Sequence, residues 1–172
     1  MTLHTVSVEL ENKPGALARV SNMFARRGYN IESLAVGPTE SRDVSRIVLR
    51  VDCSQTSLEQ IEKQMHKLVN VRRVVELEPG HAVERELCLI KVNAPPERRT
   101  ELLSLADIFR ARVADVAPDA IVFEVVGTPE EIDSFEELVR PHGVKELART
   151  GRIGLTRAST ARPERGRQKV LL

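Results

Sequence analysis

The amino-acid sequence predicts an α+β protein built from two ferredoxin-like βαββαβ domains, and three observations predict it. Apolar runs of period two alternate with runs of helical period in the order βαββαβ. That order is completed twice within 172 residues. Each copy has the length of a small domain, and a Pro-Gly hinge, "EPGH" at residues 78–81, separates them. The expected organisation is a first domain over 1–78, a second over 79–158, and a charged, aperiodic tail over 159–172 that is expected to be disordered.

The first copy opens with "HTVSVEL", in which His4, Val6, Val8 and Leu10 alternate with Thr5, Ser7 and Glu9, the pattern of a half-buried strand. From Ala16 the period changes. Ala16, Val20, Met23 and Phe24 share one helical face, and Arg19, Arg26 and Arg27 fall largely opposite. "YNIESLAVG" and "SRDVSRIVLRVDC" read as strands around a turn at Gly37, Pro38 and Thr39. A second helix runs through "SLEQIEKQMHKLVN", with Leu58, Ile61, Met65, Leu68 and Val69 as its apolar face, and "VRRVVELEP" closes the copy as a strand.

The second copy repeats the order. "ELCLIKV" is a strand; Leu102, Leu105, Ala106 and Phe109 mark a helix; "RVADVA" and "DAIVFEVVG" are strands. A helix carrying Ile132, Phe135, Leu138 and Val139 follows, and "GVKELA" is the last strand. Because "LCLI" and "IVF" are apolar at consecutive positions, these strands are expected to be covered on both faces, by a partner subunit or by the twin domain.

Composition narrows the function. Net charge is +1 with 30% charged residues, so no global basic field draws the chain to nucleic acid or to anionic membrane. Cys53 and Cys88 stand far apart inside apolar strands, without a C-x-x-C pair, which points to reduced thiols and a cytoplasmic setting. No targeting segment and no membrane-spanning run is read.

The motifs of catalysis are missing. His4, His66, His81 and His142 have no metal-ligand spacing, so no metal is expected. There is no G-x-S-x-G, no dinucleotide fingerprint and no phosphate loop; "TGRIGLTR" lacks the Lys-Ser/Thr pair. Glu136 and Glu137 are adjacent on a helix and do not converge on one substrate. The βαββαβ order is also that of an RNA-recognition domain, but such domains stack bases on aromatic side chains of the central strands, and aromatic residues make up 3% of this chain and are missing from "HTVSVEL" and "SRIVLRVDC".

One junction stands out. In "ENKPGALARV", residues 11–20, Gly15 sits at the entrance of the first helix. A helix N-terminus presents unpaired N–H groups and the positive end of the macrodipole, so this turn can cradle a carboxylate. An ordinary strand-to-helix turn uses the same residue types.

Taken with "LEQIEKQMHKLVNVRRVVEL", "VERELCLIKV" and "ELARTGRIGLTR", the stretch "ENKPGALARVSNMFARRGYNIESLAVGPTE" strongly resembles the small regulatory subunits of acetolactate synthase over residues 1 to about 158. The resemblance implies an N-terminal ACT domain, an amino-acid-sensing module, and a second ferredoxin-like domain. It implies a non-catalytic chain whose partner, the large catalytic subunit, carries thiamine diphosphate, magnesium and FAD. It further implies feedback inhibition by valine or a related branched-chain amino acid, bound between ACT domains paired as a homodimer. Matched to the family motif, Asn12, Gly15, Ala16 and Leu17 in the first loop, with Asn30 and Ile31, are the effector-binding candidates. The second copy reads "NAPPERRTELL" at the equivalent junction, with no Gly, and is expected not to bind an effector in the same way. Gly15→Asp is expected to abolish effector inhibition, the domain surviving unless Gly15 has positive φ. The alternative is a stand-alone ACT-type amino-acid sensor.

Overall fold

A computed structural model describes residues 2–159. The expected tail over 159–172 lies, Ser159 apart, outside the described residues. Contacts divide the described residues into two compact units, one of Thr2–Val83 together with Gly154–Ser159, the other Glu84–Ile153.

The first unit orders β1 (Leu3–Glu11), α1 (Ala16–Arg27), β2 (Ile31–Pro38), β3 (Val44–Asp52), α2 (Leu58–Met65) and β4 (Val71–Glu76). Its sheet runs β2-β3-β1-β4 with every pair antiparallel, the ferredoxin-like order read from the sequence. The alternation in β1 sorts as expected: Val6, Val8 and Leu10 are buried and pack with Ile47, Leu49 and Val51 of β3. Both helices cover this same sheet face, through Val20, Met23 and Phe24 of α1 and Ile61 and Met65 of α2. The ring of Tyr29 meets Phe24 edge-on, with centroids 5.9 Å apart.

The second unit repeats the topology. β5 (Ala82–Asn93), α3 (Arg99–Ile108), β6 (Arg112–Ala117), β7 (Ala120–Gly127), α4 (Pro129–Val139) and β8 (Val144–Arg149) follow in order, and the sheet runs β6-β7-β5-β8. Cys88, Ile90 and Val92 of β5 pack against Leu102 and Ala106 of α3 and Ile132 and Phe135 of α4. Phe135 is the hub, with Phe109 at 5.4 Å and Phe123 at 5.8 Å between ring centroids, both edge-on. α4 starts on a capping box in which Thr128 Oγ1 accepts from Glu131 N–H and Glu131 Oε2 accepts from Thr128 N–H.

Four details differ from the sequence reading. α2 ends at Met65, and two turns closed by Leu68 N–H to Met65 C=O and Val71 N–H to Leu68 C=O carry the chain to β4. Leu68 still packs on the core, but Val69, expected on the apolar helical face, is 87% exposed. Leu138, expected on the apolar face of α4, is 46% exposed, while Ile132, Phe135 and Val139 form the buried face. A ninth strand, β9 (Ile153–Thr156), pairs with β5 and was not anticipated. The apolar runs of β5 and β7 are covered on the helix side, but Leu89 is 41% and Val126 56% exposed on the other face.

This packing separates two neighbouring positions on one helix. Phe135→Ala is expected to cost about 3–5 kcal/mol, through lost burial and the cavity left between Phe109 and Phe123. Leu138→Ala is expected to stay within about 0.5 kcal/mol. Urea denaturation of the two variants checks both, and a similar loss in each would contradict the placement of these side chains.

Candidate functional site

The junction after β1 is a turn tied to the β2–β3 loop. Asn12 N–H donates to Asp43 C=O at 2.8 Å, and Asn12 Nδ2 donates to Arg42 C=O at 3.1 Å. This bond uses one of the two amide N–H groups of Asn12, and its Oδ1 has no hydrogen-bond donor among the described residues. Glu11 Oε2 accepts from Lys13 Nζ at 3.1 Å and from Asn70 Nδ2 at 3.0 Å, and these two hydrogen bonds hold its carboxyl below the usual carboxylate range.

Gly15 is the residue on which the chain changes direction. It takes φ 83° and ψ −7°, a left-handed conformation that a Cβ disfavours, and it occupies the N-cap of α1 without a side chain to cap the helix. Ala16 N–H donates to Lys13 C=O at 3.1 Å. The N–H groups of Gly15, Leu17 and Ala18 have no hydrogen-bond partner among the described residues. No acidic residue stands in the first turn to neutralise them. A Cβ built on Gly15 meets nothing within 4 Å, so there is open space at the Gly15 position itself. Ala16 is buried in the core, while Leu17 is 37% exposed beside the donors.

The positive φ alters the consequence expected of Gly15→Asp. Space is available for the side chain, but an L-residue in this conformation costs about 1–2 kcal/mol of backbone strain.

Asn30 and Ile31 lie elsewhere. Asn30 is exposed, and its carbonyl accepts from Asp52 N–H at 3.4 Å. Ile31 starts β2 opposite Val51 and packs partly on the core. The register then shifts between Ile31 and Ser33, a bulge that leaves Glu32 pointing to Arg50 at 3.0 Å. Asn12 is anchored to Asp43 and Asn30 to Asp52, so the two groups of candidate residues stand at opposite ends of β3, roughly 30 Å apart at about 3.3 Å per residue. One copy of the chain does not bring them together.

The equivalent junction of the second unit is built differently. Pro95 and Pro96 supply no N–H, and residues Pro96–Arg98 form a 3₁₀ turn ahead of α3. The Arg99 guanidinium fills the turn, donating from Nη2 to Ala117 C=O at 2.6 Å and Pro118 C=O at 2.7 Å, while Nε donates to Ala94 C=O at 3.1 Å. A cation stands where the first unit leaves bare backbone donors.

The sequence reading passed over several participants. Arg42 and Asp43, whose carbonyls hold Asn12, sit thirty residues away in an ordinary polar loop, and no periodicity marks them. Arg149 and Arg152, within the "ELARTGRIGLTR" stretch, hold the carboxylates at the start of β5: Arg149 grips the buried Glu86 and also Asp133 at 2.5 Å, and Arg152 pairs with Glu84 at 3.1 Å. A Glu86 buried to 5% exposure needs such a partner.

Neither thiol is poised as a nucleophile, because burial pushes Cys88 up to about 11 and raises Cys53 as well. Among the described residues no three His, Cys, Asp or Glu side chains gather in a metal-binding group, and no helix is long and apolar enough to cross a membrane.

Comparison with known proteins agrees with this architecture. Residues 6–73 match the family described as the AHAS small subunit-like ACT domain, and residues 85–158 the family described as the small subunit of acetolactate synthase. A probable acetolactate synthase small subunit of Archaeoglobus fulgidus is 49% identical over 156 residues, covering 91% of this chain and 98% of its own length. The acetolactate synthase small subunit of Mycolicibacterium smegmatis is 46% identical, covering 90% and 91%. The crystal structure of the acetolactate synthase small subunit from Thermotoga maritima superposes with a TM-score of 0.85 at 39% identity, over 93% of this chain and 100% of that one. By fold, family matches and identity over nearly its whole length, this chain belongs to the acetolactate synthase small subunits.

Proposed function

We propose that the chain is a non-catalytic regulatory subunit that activates the thiamine-diphosphate-dependent large subunit of acetolactate synthase and imposes feedback inhibition by valine or a related branched-chain amino acid. The observation that carries the effector half of this reading is the N-terminus of α1, where three N–H groups have no partner among the described residues, preceded by a turn that leaves Asn12 Oδ1 without a donor among them. The N–H groups suit an α-carboxylate and Oδ1 suits an α-ammonium. In this reading thiamine diphosphate, magnesium and FAD belong to the large subunit.

The separation of Asn12 from Asn30 supports a site shared between two copies. β2 is an edge strand whose outer side has no neighbour among the described residues, and Val36 on it is 51% exposed. If two copies pair these edges antiparallel about a two-fold axis, the start of one β2 lies beside the end of the other. Asn30 of one copy then meets the β2–β3 loop of its mate, which is the loop that anchors Asn12. Pro38 ends that edge, lacking an N–H to continue the ladder. Ile31 and Leu17, at the two ends brought together, supply apolar surface for a branched side chain.

Reconstitution tests the regulatory half. The purified chain supplied with pyruvate, thiamine diphosphate, magnesium and FAD is expected to be inert, and to raise turnover when added to the large subunit. Turnover by the chain alone, or no effect on the large subunit, would refute the reading.

The effector half is tested by comparing Gly15→Asn with Gly15→Asp. Both carry the left-handed strain, and only the second places a charge against the ligand's carboxylate. Like charges about 4 Å apart repel by roughly 1 kcal/mol in water and about 4 at an effective dielectric near 20. The aspartate variant is therefore expected to need at least about tenfold more valine for half-inhibition than the asparagine variant, with activation retained in both. Equal inhibition curves would place the effector elsewhere.

A further inference from the structure

The helix side of the first unit carries a groove that the proposed effector site does not use. Arg19, Met23, Arg26 and Arg27 of α1 face Lys67 and Leu68, just beyond α2, across a cleft of about 570 Å³. Four cations line it, and no acidic side chain among the described residues does. None of the four takes part in an ion pair among the described residues. Arg19 Nη1 donates instead to the neutral Oδ1 of Asn70 at 2.9 Å, which fixes its direction without neutralising it. With a net charge of +1 for the whole chain, this concentration is local.

Helix electrostatics account for only part of it. Arg26 and Arg27 stand in the last turn of α1, where positive charge complements the macrodipole. Arg19 lies near the opposite end, where positive charge is disfavoured, and Lys67 lies beyond α2. The groove thus gathers like charges with no carboxylate among the described residues paired to them.

We propose that this groove docks an acidic segment of the catalytic large subunit, with carboxylates on the guanidinium forks and an apolar side chain over Met23 and Leu68. The proposal rests on the reading of the chain as a regulatory subunit. All four cations are exposed, so a small hydrated anion gains little from them singly, whereas an extended acidic segment engages them together and sheds water from the apolar floor. The chain's own residues 160–172 are excluded as occupant by sign, because Arg162, Arg165, Arg167 and Lys169 outnumber Glu164. The position also suits control. Gly15 is the N-cap of α1, and Arg19 N–H donates to Gly15 C=O at 3.0 Å, so an amino acid on the helix N-terminus and a partner in the groove act on the same element.

The test measures association of the full chain with purified large subunit at low and high salt, for the wild type and for Arg26→Gln/Arg27→Gln/Lys67→Gln. The triple variant is expected to associate about tenfold more slowly at low salt and to lose most of the salt dependence, while calorimetry shows unchanged valine binding. Should thermal unfolding reveal damage in the triple variant, Arg27→Gln/Lys67→Gln is expected to give the same result in weaker form. Equal rates and salt slopes in folded variant and wild type overturn the docking assignment alone. A wild type that does not associate at all overturns the regulatory-subunit reading, and the groove assignment with it. Inorganic triphosphate that competes with the large subunit supports the groove as the contact; triphosphate bound there without slowing association overturns it.

Discussion

The pairing of β1 with β3 is the constraint on which the first unit depends. Nine residues of each strand match in unbroken antiparallel register, from Leu3 opposite Asp52 to Glu11 opposite Val44. Because the register is fixed along its whole length, the apolar face built from Val6, Val8, Ile47 and Leu49 is continuous, and both connecting helices are drawn to it. The same register holds the Asn12 turn at one end of β3 and Asn30 at the other. A shift of one residue would turn the core face to solvent and would carry Asn12 out of reach of the Arg42 and Asp43 carbonyls.

Two units of one topology have been given different chemistry at the same place. In the first, a left-handed glycine lets the chain enter α1 with its leading N–H groups bare. In the second, two prolines remove donors and the Arg99 guanidinium occupies three carbonyls around the turn. The contrast is local and does not disturb the sheets, whose four-strand orders correspond, β9 being an addition to the second. The second unit invests its charge elsewhere, where Arg149 and Arg152 neutralise Glu84 and the buried Glu86 at the start of β5. Those contacts tie the residues around β8 and β9 back to β5, which explains why the "ELARTGRIGLTR" stretch carries two arginines three positions apart.

In the proposed mode of action α1 links recognition to response. Its N-terminus offers the donors for an amino acid, its buried face is locked to the sheet through Val20 and Phe24, and its outer face carries the basic groove. A packed helix moves as a body, so in this proposal an amino acid at one end and a partner on the outer face would act on the same element.

The residues themselves determined the architecture. Period-two runs such as His4 to Leu10 and helical runs such as Ala16 to Phe24 are set by burial of one face, a property each segment carries in its own spacing. Gly15 was legible as a helix entrance for the same local reason. What local spacing does not encode, the tertiary structure decided. Val69 keeps the helical period but follows the end of α2 at Met65 and lies 87% exposed; β9 pairs with β5, whose pairing with β8 begins only at Cys88, and nothing in its four residues demands a strand. Asn12 owes its orientation to carbonyls thirty residues away, and the roughly 30 Å between Asn12 and Asn30 appears only once the β3 register is laid down. The gathering of Arg19, Arg26, Arg27 and Lys67 in one groove was decided there too, because Lys67 joins α1's arginines only when two helices distant in sequence pack side by side on one sheet.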